Sequence, residues 1–212
     1  MQVVKVVNGM TFKYSVRCGV TLINVVAVFV LIFAAQVYAG DADTHFPYKE
    51  LINESGVVVG VGSGSIAEGY YNPILLIWRV GWDLKKVFPG LEKYRGTFSA
   101  YIEPQVNPVF NPETDVELGV GVGVKYRYAV TDRFSWYVMG SVGPHFITVK
   151  SQDQANGFIF SDTIGAGCSL MLTEKSSVDL EYRFRHLSNC GFENPNVGIN
   201  NNFIAIGYSR FF

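Results

Sequence analysis

Between Val116 and Tyr128 every even position is apolar or aromatic: Val116, Leu118, Val120, Val122, Val124, Tyr126 and Tyr128. The odd positions between them are Glu117, Gly119, Gly121, Gly123, Lys125 and Arg127. A period of two sustained over that length predicts a strand with one face in an apolar medium and the other polar or small. The same parity recurs in Ile74, Leu76, Trp78, Val80, Trp82 and Leu84 against Arg79, Gly81 and Asp83, and in Phe98, Ala100 and Ile102 against Ser99, Tyr101 and Glu103. Phe134, Trp136, Val138 and Val142 continue it, as do Ile164, Ala166, Cys168, Leu170 and Leu172. Two further strands follow, Val178, Leu180, Tyr182 and Phe184 against Asp179, Glu181, Arg183 and Arg185, then Ile204, Ile206, Tyr208 and Phe212. A weaker first strand from Gly56 to Gly62 completes a set of eight.

A soluble sandwich also alternates, but it does not set Asp179, Glu181, Arg183 and Arg185 against a face of Val, Leu, Tyr and Phe in strands of this length. Tilted strands of roughly ten residues span a bilayer, apolar outside and polar inside. Closing an even number of them removes the edge that lipid cannot satisfy. The chain is therefore predicted to be all-β, an eight-stranded antiparallel transmembrane β-barrel of the outer membrane. Eight strands leave room inside only for side chains, so the inward charges, Glu103, Asp115, Glu117, Lys125, Arg127, Asp179, Glu181, Arg183 and Arg185, should form a mutually paired polar core. Pro104 and Pro144 fall within strands and predict bulges or strand ends.

The first 39 residues change the compartment. Lys5, Lys13 and Arg17 precede an apolar run from Val20 to Ala35 and then Val37-Tyr38-Ala39, with small or modest side chains at the two positions a signal peptidase reads. The run is short of the roughly 20 residues a spanning helix needs, so residues 1–39 read as a secretory signal peptide cleaved after Ala39, with residues 40–212 as a single barrel domain. The terminal Phe212 fits the same export route. With 17 basic and 18 acidic residues and a net charge of −1, no field points to nucleic acid. Of three cysteines, Cys18 leaves with the signal. Cys168 and Cys190 are separated by several residues of register and are expected to be free thiols. No Cys/His spacing predicts a metal or a cofactor.

In bacterial barrels the short turns face the periplasm, and here the short connections are 130–133 and 173–177. The seventh strand then runs outward, placing His186 and Ser188 at its outer end on the lipid-facing stripe. A serine hydroxyl becomes a useful nucleophile when a base accepts its proton, and imidazole is the usual base. Two residues apart on one strand face, the pair lies within reach of each other. Parity alone leaves open that both are simply polar residues at the rim.

His186-Leu187-Ser188-Asn189, followed by Gly191, Pro195-Asn196, Gly198-Ile199 and a last strand, resembles the HxSN region of the PagL-type lipid A 3-O-deacylases, the acyloxyacyl hydrolases. The resemblance is specific over residues 183–212. It implies an outer-membrane esterase that removes an ester-linked 3-hydroxyacyl chain from lipid A, needing no cofactor and no metal. Lipid A or lipopolysaccharide would be the substrate, outer-membrane lipids the surroundings, and a homodimer is left open. Ser188 would be the nucleophile and His186 the base; Asn189 with the backbone N–H of Gly191 would form the oxyanion hole, with Asn196 a further polar position of the loop. The family's histidine-orienting acid falls at residue 200, which is Asn200. A hairpin through the turn at 173–177 puts Asp162 beside Ser188 and diagonal to His186, making it the alternative orienting group. Cys190 stands where the family commonly has alanine.

His145, inward on the fifth strand, reads as a hydrogen-bonded core histidine. Two other functions account for the barrel: a non-catalytic structural or adhesive eight-stranded protein, and a lipid A acyltransferase.

Overall fold

The computed structural model describes residues 2–7, 10–15 and 52–212. Two units separate, 1–46 and 47–212. In the first, β1 (Gln2–Val7) and β2 (Met10–Ser15) pair as an antiparallel hairpin; the apolar run Val20 to Ala35 of the proposed signal peptide and its cleavage point lie outside the described residues.

The second unit is the barrel. β3 (Ile52–Ile66), β5 (Ile74–Asp83), β6 (Thr97–Val109), β7 (Asp115–Ala129), β8 (Phe134–Ile147), β9 (Gly157–Thr173), β10 (Ser176–Ser188) and β11 (Ile199–Phe211) pair in sequence order. β11 returns to β3 and closes the ring, while the short β4 (Gly69–Tyr71) adds to the end of β3. The fold is thus a closed eight-stranded antiparallel barrel. A single helical turn, α1 (Leu84–Val87), lies in the connection after β5. All eight strands sit where alternation places them, but most run longer, because polar and small residues at their ends blur the period.

Parity decides what each face meets. Trp78, Val124, Val138, Leu180 and Ile206 are exposed on the outer wall, which suits a lipid solvent and matches the aromatic-rich exterior of outer-membrane barrels. Inside, Arg79 Nη1 donates to Glu181 Oε1 at 2.8 Å and its Nε to Glu103 Oε1 at 2.8 Å. Arg183 bonds the same two carboxylates at 2.9 and 2.5 Å. Arg185 grips Glu117 through both terminal nitrogens, at 2.7 and 2.9 Å, and Lys125 pairs with Glu54. Such groups are tolerable in a dry interior only when paired in this way.

Three features depart from the alternation reading. Past Arg185 and Asn201 the inner face turns apolar: Leu187, Ile199, Ile159, Ile147, Val109 and Tyr71 form a buried cluster under the longer loops. Second, β6 and β8 run through Pro104 and Pro144 without ending. The cost appears in the ladders instead, since proline has no N–H to give: β5–β6 pairing skips from Ile77↔Gln105 to Val80↔Ile102, and β7–β8 from Gly119↔His145 to Val122↔Val142. Third, His145 is inward and buried as expected, but neither ring nitrogen has a hydrogen-bond partner, so it is not the satisfied core histidine that the sequence suggests.

Cys168 and Cys190 are both free, one on the outer stripe of β9 and one beyond the end of β10. Denatured protein lacking residues 1–39 is expected to take up two maleimides without any reductant. A non-reducing mass two hydrogens short, with no adduct, would contradict this.

Candidate active site

The last three strands and the loop between two of them build the site. On β10, His186 and Ser188 occupy the outward positions at the strand's far end, each partly exposed. The register then sets their neighbours: His186 lies directly across from Asn200 on β11 and from Asp162 on β9. Directly paired residues bring their Cβ atoms to roughly 4.5–5.5 Å, so one imidazole stands between an amide and a carboxylate.

That arrangement corrects the hairpin register. The expected pairing set Asp162 beside Ser188; the structure sets Phe160 there and moves Asp162 opposite His186. The hairpin closes one residue tighter than expected, pairing Ser176 with Thr173, and the register shifts by one more residue between Ser176 and Ser177. Together they displace every partner along the strand by two.

His186 Nδ1–H donates to Asn200 Oδ1 at 2.8 Å. An oxygen acceptor on that side fixes the tautomer and leaves Nε2 as the ring's basic nitrogen. Gly198 makes this position possible: a Cβ there would sit 2.5 Å from His186 Cε1, and the residue's φ of +89° belongs to glycine. Asp162 has a buried Oδ1 with no hydrogen-bond partner. Its side chain stands across the ladder from the imidazole, on the side away from Asn200.

Ser188 Oγ donates to Asn196 Oδ1 at 3.1 Å, and the same oxygen accepts the Asn189 N–H at 2.9 Å. The hydroxyl hydrogen is thus directed to Asn196. Cys190, at a φ of 55°, turns its N–H toward Ser188 Oγ at 3.3 Å. Of the oxyanion donors expected from sequence, neither is free: the Asn189 N–H is held by Asn196, and the Gly191 N–H by Asn189 Oδ1 at 2.9 Å. The Asn189 side chain is buried and donates to Glu193 O at 2.8 Å. The donor that does point at the serine is the Cys190 N–H, which bonds Ser188 Oγ itself. No spacing in the sequence signals it, because it depends on the left-handed turn after Ser188.

Burial, and then the charge of Asp162, push the Cys190 thiol above its usual range. This disfavours the thiolate that a cysteine nucleophile requires.

The loop is braced from outside. Val197 N–H donates to Asp153 O at 2.7 Å and Ala155 N–H to Pro195 O at 2.7 Å, while Asp153 Oδ2 accepts the Ala67 N–H at 2.7 Å. Segment 151–155 thereby straps the 189–198 loop to the β3–β4 turn. Among the described residues no cluster of His, Cys, Asp and Glu could hold a metal ion.

A family model described as lipid A 3-O-deacylase (PagL) matches residues 76–209. Among solved structures, the outer membrane enzyme PagL aligns with a TM-score of 0.50 at 18% identity, covering 71% of this chain and 97% of that one. Neisserial surface protein A aligns with a TM-score of 0.57 at 10% identity, over 75% and 96% of the two chains. At such identities both speak to the barrel alone. No curated protein matches the chain.

Proposed function

Since the chain belongs to the lipid A 3-O-deacylase (PagL) family, we propose that it is an outer-membrane esterase in which Ser188 and His186 remove a 3-hydroxyacyl chain from lipid A at the barrel's outer rim. The observation that carries the residue assignment is the Nδ1–H bond from His186 to Asn200, with Ser188 two residues on along the same lipid-facing stripe. The face matters as much as the chemistry. A substrate embedded in the leaflet meets the outer wall, and a signal peptide over residues 1–39 would deliver the barrel to that membrane.

In the proposed reaction Ser188 leaves Asn196, passes its proton to His186 Nε2 and attacks the ester carbonyl. The developing oxyanion accepts a hydrogen bond from the Cys190 N–H, a preorganised donor of the kind that stabilises such intermediates. Collapse expels the sugar oxygen, which takes the proton from His186. Water, deprotonated by the same imidazole, then cleaves the acyl-serine and restores the hydroxyl.

Asn200 and Asp162 divide the work that one acid does elsewhere: the amide fixes the ring and the carboxylate opposes the imidazolium charge. Asn200→Ala is expected to lower kcat by about 10²-fold and Asp162→Asn by about tenfold, well short of the roughly 10⁴ lost when a triad acid that does both is neutralised. Rates on purified lipid A decide it. Near-wild-type rates for both variants would leave His186 an unassisted base.

Mass spectrometry of lipid A from cells with and without the protein tests the activity itself. Loss of one 3-hydroxyacyl chain is expected. An unchanged spectrum would point to a structural or adhesive barrel, and a gained chain to an acyltransferase.

A further inference from the structure

The two halves of the loop that carries Asn196 are held differently. In 189–193 the bonds stay local: the Gly191 N–H goes to Asn189 Oδ1, the Phe192 N–H to Asn189 O at 3.1 Å, and Asn189 Nδ2 to Glu193 O. In 194–198 they reach outside the loop. Val197 N–H donates to Asp153 O and Ala155 N–H to Pro195 O, which makes Gln154 and Asn196 an antiparallel bridge with one bond on either side of Asn196. Asn196 therefore stands on backbone fixed by segment 151–155, and its Oδ1 is where the Ser188 hydroxyl and the Asn189 N–H both end.

Segment 151–155 is itself tied down on its far side. Asp153 Oδ2 accepts the Ala67 N–H at 2.7 Å, and Glu68 Oε1 accepts the Gln152 N–H at 2.6 Å, so two carboxylates cross between the segment and the β3–β4 turn in opposite directions. A carboxylate that accepts a backbone N–H makes a stronger bond than a neutral acceptor does. Within the segment, Ser151 Oγ accepts the Asp153 N–H at 2.9 Å and the Ser151 N–H donates to Gln154 O at 3.3 Å, which closes a turn around the half-buried Asp153. The β3–β4 turn in its turn sits on the barrel wall, because β3 is paired with β11 and β5 below it. One residue thus joins both ends of the path: the Asp153 carboxylate reaches the wall, and its carbonyl reaches the site loop.

We infer that Asp153 is a positioning residue for ester cleavage: it ties the Gln154–Asn196 bridge to the barrel wall, and so fixes the Asn196 side chain that holds Ser188. The inference rests on the deacylase reading. Asp153 lies outside the stretch 183–212 that resembles the deacylase motif, and its hydrogen bonds run to Ala67, Ser151 and Val197 rather than to Ser188 or His186; its effect on the serine passes through Asn196. Without the carboxylate the two bonds of the bridge remain, but the segment that offers them is no longer anchored through Asp153. A displacement of about 1 Å at a reacting group is enough to slow catalysis by up to about 10²-fold.

Variants of the full barrel, assayed on lipid A, test it. Asp153→Ala is expected to lower kcat by about tenfold with KM little changed, because the substrate still meets the same wall and only the alignment of Ser188 suffers. Asp153→Asn keeps an oxygen that can accept the Ala67 N–H and should recover most of that loss. In an Asn196→Ala background, Asp153→Ala should cost nothing further, since two residues that act through one another do not add. A wild-type kcat in Asp153→Ala would overturn the inference, as would an Asp153→Asn barrel as slow as the alanine variant, or an equal loss with Asn196 already gone. The anchorage is also read without turnover, from hydrogen exchange of the Val197 amide. Asp153→Ala should speed that exchange by about tenfold, by easing local opening of the loop, and an unchanged rate would likewise overturn the inference. A wild-type barrel inert on lipid A would sink the deacylase reading, while the exchange rate still decides whether Asp153 holds the bridge.

Discussion

Ser188→Ala is expected to lower lipid A deacylation by at least about 10⁴-fold, because removing the nucleophile of a Ser/His unit forfeits nearly everything the unit contributes. His186→Asn should cost about as much, since the two act in a single step and their losses do not add. Neither change touches the interior: both residues are outward on β10, and the hydrogen bonds they lose run to Asn196 and Asn200 at the rim. Both variants should therefore keep the heat-modifiable gel migration of a folded barrel. Turnover near wild type in either folded variant would remove Ser188 and His186 from the chemistry. Cys190, its thiol pushed above its usual range by burial, is a poor substitute.

Glu181→Leu is expected to destabilise the barrel by about 3–5 kcal/mol, the usual result of removing one partner from a buried ionic group. Its carboxylate accepts from Arg79 Nη1 at 2.8 Å, from the Tyr137 hydroxyl at 2.8 Å and from Arg183 Nε at 2.8 Å. Leucine fills much of the space but leaves both guanidinium groups short of an acceptor. Urea unfolding in lipid vesicles measures the difference, with Glu174→Gln, at an exposed turn position, as the control that should shift by less than about 0.5 kcal/mol. A Glu181→Leu barrel as stable as the control would mean that the ion lattice is dispensable.

The barrel could be read from the sequence because its signal is redundant. A period of two repeats on every strand, and lipid outside with paired charge inside enforces it each time. The alternation fails where its cause fails: beyond Arg185 and Asn201 the inner face meets loops rather than charges, and Leu187 and Ile199 turn apolar without a change of period. The prolines were visible, but which of two neighbours loses its ladder bond was not. At the site, the spacing of His186 and Ser188 is local and needs only strand parity. Asp162 depends on a long-range pairing, and a turn closed one residue tighter together with a one-residue shift at Ser176/Ser177 moved it by two residues. The oxyanion donors depend on loop dihedrals and on which N–H groups the loop spends on itself. Hydrophobic pattern carries no record of either.

The interior lattice also has a consequence for charge balance within the membrane. Glu54, Glu103, Glu117, Asp179 and Glu181 face Arg79, Lys125, Arg127, Arg183 and Arg185, all within the barrel wall. Within this set five carboxylates face five cations, so the lattice carries no net charge of its own. No mobile counterion is needed to balance the paired side chains.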